Sequence, residues 1–406
     1  MTASSQAKRL LDYLGPRQAE MVKLLMTLAE VESPSHDPES QQPIQTILRD
    51  VLQGLGYRVR YVRGESTGGQ LLAVPQWRTS SQPFQLMLGH CDTVWPHGTL
   101  EKMPVHSRDG RLHGPGVYDM KGGLVQAIFA LGALRDLGVA PSVTPIFLIN
   151  SDEEIGSFES APAIRRLAGI VDRTMVMEPS LGARGRLKTT RKGVGKFVVK
   201  VTGRAAHAGL DPEKGVSAIL ELSHVVQTLF SLNDPQRGIT VNVGTIDGGM
   251  RPNVIAPESR AEVDVRVRSQ QDAERIEQAI RSIVPTVPET ELTITGSVGR
   301  PPLEPTPGNR KLWQRAVESA QSLGIELEEG AAGGGSDGNW TSLYTPTLDG
   351  LGAVGDGAHA LNEHVIEEKM PERAALLACL LLGPPLNDGR PRDQRDMDAV
   401  SGSEKC

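Results

Sequence analysis

Short apolar runs of strand length alternate with stretches of helical periodicity through the first half of the chain. Residues 143–149, Val-Thr-Pro-Ile-Phe-Leu-Ile, are apolar and largely β-branched, a pattern typical of a strand buried on both faces of a sheet. Apolar residues recur at helical spacing over residues 6–29, where the Gly15-Pro16 pair is expected to interrupt the helix. Strands that alternate with helices predict an α/β fold with a doubly wound, mostly parallel sheet.

The periodicity changes near residue 189. A strand, a helix, two strands, a helix and a strand are predicted in succession, over residues 195–201, 212–232, 239–246, 258–267, 272–284 and 291–295. This β-α-β-β-α-β order is that of a ferredoxin-like α+β sandwich. We therefore expect one domain in two parts, at 1–188 and 301–386, with a second domain at 189–300 inserted between them. Residues 387–406 are charged and poor in apolar side chains, which predicts a disordered tail.

Composition and charge narrow the classes of function. The chain has 406 residues and a net charge of -6 without a long basic run, so neither nucleic acid nor an anionic membrane is an expected partner. Its three cysteines, at positions 91, 379 and 406, are too far apart for a disulfide framework or a Cys-x-x-Cys zinc site. Residues 1–20 are polar, and no apolar run reaches membrane-spanning length, so a cytoplasmic location is expected.

Three consecutive acids, Asp152, Glu153 and Glu154, follow the predicted strand at 143–149. The carboxyl ends of parallel strands are where open α/β sheets bind their ligands. Adjacent carboxylates repel one another, and a divalent metal is the expected compensating charge. The alternative is a solvated acidic turn.

Other polar residues also follow predicted strands or tight turns and favour the metal site over the acidic turn. They are His90, Asp92, Asp119, Glu178 and His359. Nitrogen and oxygen donors without a thiolate suit zinc, with cobalt or manganese as alternatives. The carboxylates are too many for one ion, so a pair of divalent ions is expected, bridged by the Asp119 carboxylate on its Gly-Pro-Gly turn. Each ion then takes one histidine and one glutamate, and the second member of an adjacent glutamate pair is left to act as general base.

Five motifs in order resemble those of a known family. They are Leu-Gly-His-Cys-Asp-Thr-Val at 88–94, Asp-Met-Lys-Gly-Gly at 119–123, Asp-Glu-Glu-Ile-Gly-Ser at 152–157, Glu-Pro-Ser at 178–180 and His-Ala-Leu-Asn-Glu at 359–363. The family is that of the co-catalytic di-zinc metallopeptidases, which contains carboxypeptidase G, aminoacylase, acetylornithine deacetylase and succinyl-diaminopimelate desuccinylase. The resemblance spans nearly the whole chain and implies the zinc-exopeptidase-like fold.

The resemblance also implies a role for each residue. One metal is held by His90, Asp119 and Glu178, and the other by Asp119, Glu154 and His359. Glu153 is the base that activates a metal-bridging water, and Asp92 orients the ligating imidazole of His90. Two further residues stay open: His364 competes with His359 as a ligand, and Glu363 only caps or orients.

The inserted domain resembles the family's lid and dimerisation domain, which implies a homodimer. His207, in Gly-Arg-Ala-Ala-His-Ala-Gly at 203–209, matches a histidine that reaches the partner's active site and stabilises the tetrahedral oxyanion. Asn253 and Arg300 match positions that hold the substrate's free carboxylate in the glutamate carboxypeptidase branch. Each residue also has an alternative interpretation without a function. His207 could be a structural histidine, Asn253 an ordinary turn amide and Arg300 a solvated surface charge.

The expected function is hydrolysis of an amide bond next to a free carboxylate, foremost by a carboxypeptidase of the glutamate carboxypeptidase type. An N-acyl amino acid deacylase of the same family and a non-catalytic binding protein on the same fold are the alternatives. The glycine-rich stretch 333–338 formally fits a dinucleotide fingerprint, but an acidic segment precedes it instead of a buried strand. We expect this loop to lie near the site, where its amides could help bind an anionic group.

Overall fold

The computed structural model describes residues 3–78 and 82–386. These divide into two compact units. Unit 1 comprises residues 3–189, 305–331 and 336–386, apart from the gap at 79–81, and unit 2 comprises Thr190–Glu304 and Ala332–Gly335. The tail predicted at 387–406 lies outside the described residues. No sequence signal indicated that Ala332–Gly335 would group with unit 2.

The helices and strands have the following bounds. The helices are α1 Ala3–Leu14, α2 Gln18–Ala29, α3 Pro38–Gly54, α4 Gly122–Asp136, α5 Ala161–Ile170, α6 Ala218–Ser231, α7 Gln270–Arg281, α8 Pro307–Leu323, α9 Gly338–Thr341 and α10 Lys369–Leu382. The strands are β1 Tyr57–Val62, β2 Gln70–Pro75, β3 Phe84–His90, β4 His106–Arg108, β5 Arg111–His113, β6 Thr144–Asn150, β7 Thr174–Val176, β8 Leu187–Arg191, β9 Gly193–Thr202, β10 Thr240–Gly248, β11 Glu258–Val267, β12 Glu291–Arg300, β13 Glu329–Ala332, β14 Thr347–Leu348, β15 Gly355–Asp356 and β16 His364–Ile366. None of the helices in the described ranges is long and apolar enough to cross a membrane.

The main sheet of unit 1 has the strand order β1-β2-β6-β3-β7-β14 in the described residues. Strands β6, β3, β7 and β14 run parallel, and β2 is antiparallel to both of its neighbours. Along β3, Met87 packs into one apolar cluster while Leu86 and Leu88 pack into another, so the sheet is covered on both faces. The predicted α/β class with a mostly parallel sheet is confirmed.

Local sequence explains where the first helices begin and end. The Gly15-Pro16 pair divides the predicted helix into α1 and α2, with a 3₁₀ turn between them. Helix α3 begins at Pro38. Asp37 caps it by accepting hydrogen bonds from the amides of Glu39 and Ser40, and Pro38 occupies the first turn, where no amide donor is needed.

Unit 2 is a four-stranded antiparallel sheet in the order β10-β11-β9-β12. Helices α6 and α7 follow β9 and β11 in sequence, which gives the predicted ferredoxin-like β-α-β-β-α-β order. The helices and strands share an apolar core. Strand β10 lies at an edge of this sheet.

Candidate metal centre

Several polar residues of the site lie at the carboxyl ends of β3, β6 and β7. His90 is the last residue of β3 and pairs in register with Asn150, the last residue of β6. Glu153 follows β6 by three residues and Glu178 follows β7 by two. Because the three strands are parallel and adjacent, these side chains meet at one edge of the sheet.

His90 faces two of the carboxylates. Its Nε2 lies 3.4 Å from Asp119 Oδ1 and 3.6 Å from Glu178 Oε1. Donor atoms of His90, Asp119 and Glu154 all lie within 4.8 Å of one another, and so do those of His90, Glu153 and Glu178. The structure thus brings residues from four separate segments of unit 1 into one cluster with metal-ligand spacing.

Asp119 lies between the two histidines of the cluster. Its Oδ1 faces His90, whereas its Oδ2 is 3.6 Å from His359 Nε2. The same His359 nitrogen is 3.1 Å from Glu154 Oε2. A carboxylate whose two oxygens face different donor groups has the arrangement needed to bridge two ions.

Two buried atoms of the cluster are left without hydrogen bonds within the described residues. They are His90 Nε2 and Asp119 Oδ1. Buried polar atoms are nearly always partnered, so this pair of donor atoms fits the coordination of a cation. The donor set contains imidazole and carboxylate and no thiolate, which fits zinc, cobalt or manganese.

The charges of the cluster also fit a cation. Interaction with Asp119 and Glu154 raises the pKa of His359 to about 10. Burial of His90 opposes its protonation, but the carboxylates of Asp119, Asp92 and Glu178 outweigh this effect and raise its pKa. Burial raises the pKa of Glu154 to about 7. Protons therefore offset the clustered carboxylates, and metal binding would displace them.

Asp92 contacts His90 and the backbone of two glutamates of the cluster, and it makes more contacts than the sequence suggested. His90 Nδ1 lies 3.0 Å from the main-chain oxygen of Asp92 and 3.3 Å from its Oδ1, as expected for a residue that orients a ligating imidazole. The same Oδ1 accepts the Glu153 amide at 3.3 Å, and Oδ2 accepts the Glu154 amide at 3.2 Å. Oδ2 also accepts the Ser35 hydroxyl at 2.7 Å. One buried carboxylate therefore fixes both the histidine and the backbone of the two glutamates.

A second buried carboxylate, that of Asp337, bonds two residues that flank Glu153 and Glu154 in the sequence. Asp337 accepts hydrogen bonds from Asn150 Nδ2, at 2.6 Å, and from the Ser157 hydroxyl. Sequence reasoning noted the glycine-rich loop that contains Asp337 only for its amides and missed this carboxylate. Asp152 does not belong to either donor group, and its Oδ2 accepts the amides of Glu159 and Ser160.

Residues 86–383 match the model of peptidase family M20/M25/M40. The chain belongs to this family. It is 29% identical over 375 residues to carboxypeptidase G2 from Pseudomonas sp. (strain RS-16), which covers 90% of this chain and 89% of that protein. It is 25% identical over 363 residues to a succinyl-diaminopimelate desuccinylase from Delftia acidovorans, which covers 84% of this chain and 93% of that protein. The family resemblance drawn from the five motifs is confirmed.

The fold of the M20 family is also seen in solved structures. The crystal structure of aminopeptidase PepT from Bacillus cereus matches with a TM-score of 0.73 at 21% identity, over 90% of this chain and 98% of that one. The predicted fold with an inserted domain is therefore confirmed. Family membership makes this chain a hydrolase of the metallopeptidase or deacylase class, and enzymes of the M20 family depend on metals.

The other three residues that the sequence singled out belong to unit 2. His207 and Asn253 are neighbours there, because His207 forms a β-bridge with Val254 and the Ala208 amide donates to the Asn253 carbonyl. Arg300 ends β12, where it pairs with Val194 near the start of β9. His207 follows the other end of β9.

The alternative ligand His364 lies outside the donor cluster. It begins strand β16, its Nδ1 is 3.0 Å from the Asn362 carbonyl, and its ring packs against His113. His97 is exposed and lies beside Asp37, 2.9 Å away.

Proposed function

We propose that this M20 enzyme is a carboxypeptidase of the glutamate carboxypeptidase type, which cleaves an amide bond next to a free carboxylate. The observation that carries the proposal is the placement of Asp119 between two histidines, with Glu153, Glu154 and Glu178 donor atoms in the same cluster. The similarity to carboxypeptidase G2 over most of both chains supports the choice of reaction.

The geometry supports a pair of metal ions held by residues of unit 1. We assign His90, Asp119 and Glu178 to one ion, and Asp119, Glu154 and His359 to the other. When bound, two divalent ions lower the pKa of the attacking water and polarise the scissile carbonyl. Zinc is the proposed metal because the ligands are imidazoles and carboxylates.

Glu153 is the proposed general base. Its amide is held by Asp92, its side chain is largely buried, and its carboxylate lies within 4.8 Å of donor atoms of His90 and Glu178. Its carboxylate takes a proton from the attacking water, and the resulting carboxylic acid passes that proton to the leaving amine.

His207 is proposed to stabilise the oxyanion in the site of a partner chain. The ring is exposed, and its Nδ1 accepts the amides of Gly209 and Leu210, both at 3.1 Å. A nitrogen that accepts cannot carry the proton in the neutral ring, so the proton resides on Nε2. This nitrogen is then a fixed hydrogen-bond donor of the kind that an oxyanion needs.

The layout of unit 2 supports a site shared between two chains. Strand β9 has ten residues and is roughly 30 Å long. Arg300 and Asn253 lie towards opposite ends of it, so one chain cannot offer both side chains to one substrate carboxylate. We propose that two copies of the chain contribute them.

A homodimer through unit 2 fits its surface. Strand β10 is an edge strand that carries the exposed Ile246, and helix α6 exposes Ile219, Leu220 and Phe230. Unpaired sheet edges and exposed apolar residues are typical of surfaces that bind another chain. Light scattering of the purified protein is expected to give the mass of a dimer.

N-acyl amino acid deacylation is the second candidate, because the chain is also similar to succinyl-diaminopimelate desuccinylases over most of their length. The zinc-loaded enzyme is assayed on a panel of glutamyl conjugates and N-acyl amino acids, with and without chelator. Turnover of glutamyl conjugates is the expected result. Turnover of N-acyl amino acids alone would replace the carboxypeptidase assignment by the second candidate.

The base is tested with Glu153→Gln, which keeps the shape of the side chain and removes its basicity. We expect turnover to fall about 10²- to 10⁴-fold while two metal ions per chain remain bound. The control is Glu65→Gln, at an exposed glutamate between β1 and β2. Retained turnover would refute the base assignment.

Mixing Glu153→Gln with His207→Ala, each inactive alone, is expected to restore part of the activity once subunits exchange, and no recovery would refute action in trans.

A further inference from the structure

A buried carboxylate outside the proposed ligand set joins three of the segments that carry ligands. Glu363 is fully buried. Its Oε1 accepts the amides of Tyr118 and Asp119, at 2.9 and 3.0 Å. Its Oε2 accepts the amide of Gly116 and the indole Nε1–H of Trp95, both at 3.0 Å.

Each of these contacts leads to a different proposed ligand. Trp95 lies five residues after His90, at the end of β3. The amides of residues 116–119 form the turn that ends in the bridging Asp119. Glu363 itself ends the short loop that begins with His359, and its amide is bonded to the Ala360 carbonyl inside that loop. One carboxylate therefore links the segments that present His90, Asp119 and His359.

The chemistry of this position requires two accepting oxygens. All four partners are N–H groups, which can only donate, so each oxygen of residue 363 must accept two hydrogen bonds. An amide side chain has one accepting oxygen, and its amino group would face two donors. A shorter acid would not span the same distance from the backbone of residue 363.

We propose that Glu363 is a positioning residue that sets the spacing of the metal-binding segments without touching the metals. This inference rests on the proposed function, because it assumes that His90, Asp119 and His359 are ligands. It predicts that the effect of Glu363 is seen first in metal binding and in ligand geometry, and only through them in turnover.

The test uses Glu363→Gln, Trp95→Phe and the double variant of the full-length chain, each titrated with Co²⁺ and Zn²⁺ against a competing chelator. Glu363→Gln is expected to weaken metal binding about 10- to 100-fold, as replacements behind metal ligands do, and to change the visible absorption spectrum of bound Co²⁺. With the metals loaded, kcat is expected to fall more than KM rises.

The double variant gives the sharpest result. Phenylalanine removes one of the two donors that the glutamine amino group would face, so Trp95→Phe is expected to weaken metal binding slightly in the natural chain and to strengthen it in the Glu363→Gln chain. The control is Glu368→Gln, at an exposed glutamate of the same region, which is expected to bind metal like the natural chain.

Three results would overturn the proposal. The first is a Glu363→Gln variant with the metal affinity and Co²⁺ spectrum of the wild-type protein. The second is an equal effect of Trp95→Phe on metal affinity in the wild-type and the Glu363→Gln chains. The third is a loss of metal affinity in Glu368→Gln as large as that in Glu363→Gln. Urea unfolding of the metal-free protein shows whether Glu363→Gln folds. If it does not, the proposal is tested with Trp95→Phe alone, and an unchanged Co²⁺ affinity and spectrum in that variant would refute the positioning role of Glu363. Failure of the proposed function can be distinguished from failure of this inference. If the wild-type protein binds two Co²⁺ ions but hydrolyses no amide, the proposed function fails while every metal-binding measurement can still be made.

Discussion

Replacing Asp92 with asparagine tests whether the hydrogen bonds of this buried carboxylate set the geometry of the metal-binding cluster. The Asp92 carboxylate faces His90 Nδ1 and accepts the amides of Glu153 and Glu154 and the hydroxyl of Ser35. Asparagine keeps the shape of the side chain but has only one accepting oxygen. The least damaging orientation places the amino group towards Ser35, whose hydroxyl can turn to accept, and this leaves the Glu154 amide without its acceptor.

The structure sets the size of the effect. A hydrogen bond to a charged group contributes about 1.5–3 kcal/mol, and a 1.4 kcal/mol change is tenfold in an equilibrium constant. Losing one such bond, beside the ligand Glu154, therefore predicts metal binding roughly 10- to 150-fold weaker. This range agrees with the 10- to 100-fold losses typical of changes behind metal ligands. We expect kcat/KM at limiting zinc to fall by a similar factor.

Asp152→Asn is the matched control, because Asp152 is buried in the same loop but one of its oxygens, Oδ2, accepts both the Glu159 and Ser160 amides. An asparagine oxygen can replace that single acceptor, so binding and turnover are expected to stay within a few-fold of the natural protein. Metal affinity is measured by competition with a chromogenic chelator. Equal losses in Asp92→Asn and Asp152→Asn would refute the reasoning, and so would an Asp92→Asn variant that binds zinc like the natural chain.

Two further predictions concern buried networks of unit 1. Asp337→Ala is expected to lower kcat at least tenfold, because the buried Asn150 amide, at the end of the strand that leads to Glu153 and Glu154, loses its charged hydrogen-bond acceptor; an unchanged kcat would contradict the assigned role of this carboxylate. Arg173→Met is expected to destabilise the chain by about 3–5 kcal/mol in urea unfolding, because the buried Asp172 loses its cation. The exposed Arg184→Met is its control and should leave the unfolding midpoint unchanged, so equal effects of the two arginine changes would refute the argument.

Much of the site could be predicted because its residues lie at predictable places. Where a strand is apolar along its whole length, the first polar residues after it show where it ends. The polar residues after β3 and β6 therefore mark one edge of the sheet. His90 and Glu153 could be placed in this way. His359 was expected after the apolar run 348–354, but the structure places it at φ 61° in a turn between two-residue and three-residue strands that have no periodicity of their own. Its assignment came from the family motif.

The supporting residues were harder to predict because their partners are distant in the sequence. Glu363 and Asp337 act on segments that lie 247 and 187 residues earlier in the chain, and no local pattern reports such contacts. Short strands such as β4, β5, β15 and β16 were also missed, since three residues are too few to show alternation. Helix α5 was not predicted either, although Ile164 and Leu167 lie at helical spacing on its buried face.

The most direct test of a two-metal hydrolase is a zinc titration of metal-free protein in which bound metal and hydrolysis of a glutamyl conjugate are measured on the same samples. We predict no hydrolysis without metal, and activity that reaches its maximum when two zinc ions are bound per chain. Amide hydrolysis that continues at full rate after all transition metals have been removed would contradict the account.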